Sequence, residues 1–204
     1  MEKEEGISYI RDPAASVRFN AASNFLPVMR EKTCDLLSGV AAKLSPAEIL
    51  EIGTCVGVSG LTVLSSCKGR LTTVEIDPER MEIARKNFAE AGFSDRVICI
   101  NDDCFRALGY LTDNRYDLIV LDGPKGHSDD LYLRLKKLLN PGGVLFVDDV
   151  DYHGLIEGKE YPDHKHRTIV NAMRRFLQIV STDQDFTVER YEFDDGVVVA
   201  TKKK

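Results

Sequence analysis

Between Pro46 and Val150 short apolar runs alternate with longer helical stretches, and this alternation leaves few folds open. "AEILEIG", "RLTTVEID", "RVICIND", "YDLIVLDG" and "PGGVLFVDDV" read as strands. "SGLTVLSS", "PERMEIARKNFAEAG", "DCFRALGYL" and "DDLYLRLKKLLN" read as the helices between them. The longest of these opens at Pro78 and closes at Gly92, the usual order of helix punctuation. The strands are nearly all apolar, as they must be when helices cover both faces of a parallel sheet. The expectation is a doubly wound α/β sheet with right-handed crossovers.

The flanks differ. Residues 1–45 read as helical, with Val28, Leu36, Leu37 and Val40 at helical spacing, Pro27 near the helix start and Pro46 as its break. After the alternating part comes a polar loop, "DYHGLIEGKEYPDHKHR", carrying His153, His164 and His166. "TIVNAMRRFLQIV" reads as an amphipathic helix. "FTVERYEFDDGVVVATKKK" reads as two strands joined at Asp194, Asp195 and Gly196. No repeat or linker interrupts the chain, so residues 1–204 read as one domain: a helical segment over 1–45 and an α/β core over 46–204.

A net charge of −6 argues against a basic nucleic-acid-coating protein. The charged N-terminus "MEKEEGISYI" is no secretory signal, and no run is long enough for a membrane span. The five cysteines form no C-x-x-C pair, which suits a reducing, cytoplasmic setting rather than a disulfide framework or zinc knuckle. The three histidines of the polar loop have no cysteine partners and read as loop residues rather than zinc ligands.

In such sheets ligands bind beyond the carboxyl ends of the strands. The first strand runs into "EIGTCVGVSG", with Glu51, Gly53, Thr54, Gly57 and Ser59. This is not G-x-G-x-x-G, so a dinucleotide is disfavoured. The second strand ends at Glu75 and Ile76, where an acidic residue commonly accepts from ribose hydroxyls. The third ends at Asp102 and Asp103, where a carboxylate can accept from an adenine amino group. Glu51 would repel a pyrophosphate and attract an ammonium. A nucleoside carrying an amino acid and a positive charge fits this set: S-adenosylmethionine. Singly, each residue also reads as a turn or a cap; together, at successive strand ends, they favour the cofactor.

Asp122 ends the fourth strand, and Asp148 and Asp149 end the fifth. Those strands are usually neighbours, which would bring three carboxylates together. Unpaired, they would repel one another and one would take up a proton. A hard divalent cation resolves this, Mg2+ first, with Mn2+ and Ca2+ as alternatives. Lys125 beside such a cation should have a lowered pKa and could act as a general base. The bland alternative is a surface ion pair between Lys125 and Asp122 or Asp129.

"LEIGTCVGVSG", "TTVEID", "YDLIVLDGPKG" and "PGGVLFVDDVDYHG" together resemble the metal-dependent, S-adenosylmethionine-dependent O-methyltransferases related to catechol and caffeoyl-CoA O-methyltransferases. The resemblance covers roughly residues 25–202. It implies a Rossmann-like class I methyltransferase fold with a mostly parallel seven-stranded sheet and an antiparallel C-terminal hairpin. It implies methyl transfer to a metal-bound hydroxyl. By it, Gly53 and Ser59 would line the methionine part of the cofactor, Glu75 would hold the ribose, and Asp102 or Asp103 the adenine side. Asp122, Asp148 and Asp149 would hold the metal, with Lys125 as base. The family usually has Asp-Asn where this chain has Asp148-Asp149, and its N-terminal segment, which helps build the acceptor pocket or a homodimer, looks short here.

The resemblance implies as acceptor a small catechol-like molecule or a hydroxylated nucleoside. The bacterial branch that methylates 5-hydroxyuridine in tRNA is similar in its basic stretch, here "DHKHRTIVNAMRRFL", and in its ending. Lys159, Lys165, Arg167, Arg174 and Arg175 could contact phosphates, although a charge run usually marks a solvated face. Two rival readings are a non-catalytic S-adenosylmethionine-binding module and a nicotinamide oxidoreductase.

Overall fold

The computed structural model describes residues 12–156, 163–164 and 166–204. Two helices come first, α1 (Pro13–Ser23) and α2 (Glu31–Leu44). The alternating part is β1 (Glu48–Ile52), α3 (Val58–Ser66), β2 (Arg70–Glu75), α4 (Pro78–Glu90), β3 (Val97–Asn101), α5 (Cys104–Tyr110), β4 (Tyr116–Leu121), α6 (Ser128–Leu138) and β5 (Leu139–Val147). The chain closes with α7 (Arg167–Thr182), β6 (Phe186–Tyr191) and β7 (Val197–Lys202).

The seven strands form one sheet in the order β3-β2-β1-β4-β5-β7-β6. The first five are parallel; β7 runs antiparallel to both β5 and β6. The order reverses between β1 and β4, and this switch point opens the crevice in which an α/β sheet binds its ligand. The expected parallel sheet, neighbouring fourth and fifth strands and final hairpin are all present.

Residues along each strand alternate between two cores. Leu118 and Val120 of β4 join Ile49, Leu71 and Phe146 under α1 to α4. Ile119 and Leu121 join Leu50, Val74 and Leu145 under α5 to α7. That period of two, with apolar residues on both faces, is the physical reason these runs are strands buried on both sides. Each fully buried side chain of this kind contributes about 1.5–3 kcal/mol of transfer free energy.

Two boundaries depart from expectation. The second helix begins at Glu31 rather than near Pro27. A residue before proline is pushed out of the helical region, and Leu26, Pro27 and Val28 instead line a cleft. The fifth strand begins at Leu139, ahead of the Pro-Gly-Gly turn, because Leu139 already pairs with Tyr116 before a register shift. No described helix is long and apolar enough to cross a membrane. Lys159, Lys165 and the first eleven residues lie outside the described residues.

Candidate functional site

A cleft of about 670 Å³ lies over the carboxyl ends of β1, β2, β3, β4 and β5. Gly53, Glu75, Ile76, Asp102, Asp103, Asp122, Lys125 and Asp149 line it. The loop after β1 supplies its floor. Gly53 has φ +96, and a Cβ there would stand 2.3 Å from the carbonyl oxygen of Asp122 and 2.6 Å from its carbonyl carbon. The backbones of the two loops therefore touch where only glycine fits. Gly53→Ala is expected to cost roughly 3–5 kcal/mol, from a strained backbone and a forced separation of the loops. Urea unfolding measures it, and a variant as stable as its parent would contradict the close approach.

Glu51, Thr54, Gly57 and Ser59 stand behind that loop, not on the cleft wall. Ser59 donates to Glu51 Oε1 at 2.6 Å, and the Thr73 hydroxyl donates to Glu51 Oε2. Thr54 bonds Thr73 in turn. Gly57, with φ +92, begins α3 over the ring of Phe88. Burial pushes the Glu51 carboxyl up to about 7, with Asp122 and Glu75 adding to it and the two hydroxyl bonds opposing. Its folded pKa lies above the ordinary 4.5. Its contribution to stability is thus fully present below that value and is lost as pH rises to about 7. The loss amounts to roughly 3 kcal/mol. Glu51→Gln should flatten that slope and raise Tm at pH 8 by several degrees. Melting curves from pH 5 to 8 check this, and an unchanged slope would place the titration elsewhere.

Glu75, at the end of β2, is fixed by two backbone donors: Cys55 N–H at 2.8 Å and Asp77 N–H at 3.0 Å. A carboxylate has about four acceptor positions, so it retains capacity toward the cleft. Ile76 beside it is 67% exposed, an apolar face open on the cleft wall. Asp103 caps α5, accepting from Phe105 N–H and Arg106 N–H at 3.0 and 3.2 Å. Asp102 accepts from Asp103 N–H at 2.8 Å and pairs with Arg106.

The acidic cluster forms where β4 and β5 end side by side. Asp122 N–H donates to Ile52 O at 2.9 Å and Asp148 N–H to Leu121 O at 3.1 Å, so strand pairing itself sets the spacing. Asp122, Asp148 and Asp149 each offer a carboxylate oxygen within 4.8 Å of the others. Among the described residues this is the one group of three ligands that could share an ion. Asp149 takes φ +53, a left-handed turn that brings its side chain back to its neighbours.

Lys125 reaches into the cluster from a short turn after Pro124. Its Nζ donates to Asp122 Oδ1 at 3.0 Å and Asp148 O at 2.7 Å, and lies 3.9 Å from Asp149 Oδ2. Burial pushes this ammonium down, but Asp122, Asp149 and Asp148 together outweigh burial and hold it above the ordinary lysine range. The lowered pKa expected from the sequence was for Lys125 beside a bound cation, and this direction is that of the chain's own groups alone. Among the chain's own groups Lys125 is surrounded by anions, and only an added cation would turn the direction. Asp148 is pushed up by burial, then by Asp122 and Asp149, with Lys125 opposing. Burial likewise raises Asp149.

The C-terminal hairpin braces this corner. Val150 N–H donates to Gly196 O at 3.0 Å, and Asp151 N–H to Asp195 O at 2.8 Å. Asp195 accepts His153 N–H at 2.7 Å, while Asp194 accepts Thr33 N–H and Oγ1–H at 3.1 and 3.0 Å. These residues, with Arg30, Cys55, Arg80 and His153 on the cleft wall, did not enter the sequence-based site. The Asp-Asp-Gly turn marked a hairpin, but nothing local shows that it folds back on the acidic loop. Of the basic stretch, Arg174 donates to Ile156 O at 2.9 Å and Arg175 pairs with Asp129, so both are engaged within the chain.

A family model described as O-methyltransferase matches residues 21–203. A protein of Mycobacterium avium (strain 104) carrying an O-methyltransferase name is 31% identical over 192 residues, 87% of this chain and 85% of its own. A Staphylococcus aureus structure assigned as a caffeoyl-CoA O-methyltransferase superposes with a TM-score of 0.86 at 25% identity, covering 93% of this chain and 91% of that one. The O-methyltransferase TomG from Streptomyces achromogenes, solved with S-adenosylmethionine, shares the fold at a TM-score of 0.84 and 24% identity, covering 100% and 92%. The chain therefore belongs to the O-methyltransferase family.

Proposed function

We propose that this enzyme methylates a hydroxyl of a catechol-like small molecule or a hydroxylated nucleoside, with a divalent cation held by Asp122, Asp148 and Asp149. The observation that carries the reading is the convergence of those carboxylates, within 4.8 Å of one another, on the buried amine of Lys125. The donors are hard oxygens, as Mg2+, Mn2+ and Ca2+ prefer. Ligands on opposite sides of Ca2+ stand about 5 Å apart, and those of Mg2+ about 4 Å. The trio's oxygens all lie within 4.8 Å of one another, inside that reach. The raised carboxyl pKa of Asp148 supports the same conclusion, since clustered buried carboxylates lack sufficient positive charge.

A bound divalent cation would supply Lewis acidity toward the acceptor oxygen. The chain's own residues do the rest. Gly53 keeps the first loop packed on the Asp122 backbone at the cleft floor; Glu75 would accept from the ribose hydroxyls and Ile76 would face the adenine, with Asp102 or Asp103 at its edge. Glu51, Thr54 and Ser59 stiffen the loop from behind. With the cation in place to drive off the ammonium's own proton, the neutral Lys125 Nζ would take the hydroxyl proton as the sulfur–methyl bond breaks and the oxygen–methyl bond forms. Methyl ether and S-adenosylhomocysteine are the products.

The test is a methyl-transfer screen of catechol, 5-hydroxyuridine and hydroxyuridine-containing tRNA, with Mg2+ or with chelator. Methyl ether formed on at least one acceptor, and lost by more than about 100-fold on chelation, is the expected outcome. Turnover that persists in chelator would remove the cation from the reading. Cofactor binding without product on any acceptor would favour a binding module.

A further inference from the structure

Arg30 stands at the start of α2 on the cleft wall, beside Leu26, Pro27 and Val28. Among the described residues its guanidinium has no carboxylate within 4.0 Å, although its charge reaches Asp149. His153 lines the same cleft from the loop after β5. Asp195, buried beneath it, holds His153 twice: through the backbone N–H at 2.7 Å and at ring Nδ1, 3.3 Å from Asp195 Oδ2. The His153 backbone is itself in the left-handed region, φ +59, and the Asp195 contact is what locates the ring. With Nδ1 turned to Asp195, Nε2 is the edge left for a ligand, and the side chain is 67% exposed.

Arg30 and Asp195, which holds His153, both act on the charge of Asp149, so the pair belongs to the acceptor end of the cleft rather than to the end around Glu75 and Ile76. An unpartnered guanidinium offers a planar fork of donors matched to a carboxylate or phosphate. The imidazole donates at Nε2 as well only when it carries both protons, because Nδ1–H is taken by the Asp195 carboxylate. The apolar stretch Leu26–Val28 between α1 and α2 supplies a surface for the ring that bears the hydroxyl.

We infer that Arg30 and His153 form an anion-recognition element that selects acceptors bearing a carboxylate or phosphate beyond the hydroxylated ring. This rests on the proposed methyl transfer, which it refines: the reaction stays the same, and the acceptor is an acid. Arg30 is the principal specificity residue, and Asp195 is a positioning residue acting through His153.

The experiment compares the parent with Arg30→Gln, an exposed site where the fold is not at risk, and with His153→Asn. Calorimetry of the enzyme loaded with S-adenosylhomocysteine and Mg2+ gives Kd for 3,4-dihydroxybenzoate and for uncharged catechol. Kinetics give KM for the same pair, and 5-hydroxyuridine 5′-monophosphate against 5-hydroxyuridine separates a phosphate source from a carboxylate. Expected is a rise of at least about 10-fold in Kd and KM for an anionic ligand in Arg30→Gln, with kcat and the uncharged ligand changed less than about twofold. A smaller rise of the same kind is expected for His153→Asn. Equal losses on charged and uncharged ligands would overturn the inference, as would a fall in Mg2+ affinity, which would make Arg30 a counter-charge for Asp149. Turnover of catechol and 3,4-dihydroxybenzoate unchanged by Arg30→Gln would sink the anion element and leave the methyl-transfer reading standing. Anion-selective binding without any product would do the reverse.

Discussion

Lys125→Ala is expected to lower kcat for methyl transfer by roughly 10²–10⁴-fold, the usual worth of a positioned general base. Its Nζ is the amine within 3.0 Å of Asp122 and 2.7 Å of the Asp148 carbonyl. No other described lysine lines the cleft. S-adenosylmethionine affinity should change little, because Lys125 stands at the acidic cluster and not among Gly53, Glu75 and Ile76. The variant has a second, opposite signature. Removing the amine strips the carboxylates of their counter-charge, so without metal it should melt earlier than the parent. Stopped assays with calorimetry distinguish the outcomes: a rate within threefold of the parent would remove Lys125 as the base. Loss of cofactor binding together with rate would mean the loop has collapsed instead.

Asp148→Asn is expected to weaken the response to divalent cation by at least about 100-fold and to remove metal-supported turnover with it. In the parent, saturating Mg2+ at 100 times its Kd would stabilise the fold by about 2.7 kcal/mol. At this size that raises Tm by several degrees. The variant should lose that gain. It should also melt higher than the parent when chelator is present, because the amide ends the like-charge repulsion that raises the buried Asp148 carboxyl. Two melting curves, with Mg2+ and with chelator, therefore test the ligand role without any assay of activity. An equal Mg2+ gain in parent and variant would contradict it.

The fold was legible because its signals are local and repeat. Pro78 and Gly92 punctuate α4, and β-branched runs mark β1 to β5. The acidic cluster was legible for a related reason: Asp122 and Asp148 are strand-end residues, and neighbouring parallel strands place such ends together. What escaped was set by long-range packing. Glu51 and Ser59 looked like cleft residues because they flank a glycine loop, yet their side chains bond each other inside the sheet layer. Arg30 and His153 lie far apart in sequence and share a cleft wall only because α2 and the loop after β5 both border it. The direction of the Lys125 pKa without a cation depends on the balance between burial and three carboxylates, a sum no motif contains.

The hairpin brace has a consequence for the order in which this enzyme becomes an enzyme. Every residue assigned to cofactor and cation is made by Asp149, but the acidic loop is tied down by Asp195 and Gly196, and β7 takes its place between β5 and β6 afterwards. A nascent chain on the ribosome thus carries the whole reactive set before it has the means to hold that set in place. Methyl-transfer competence is the last property the growing polypeptide acquires.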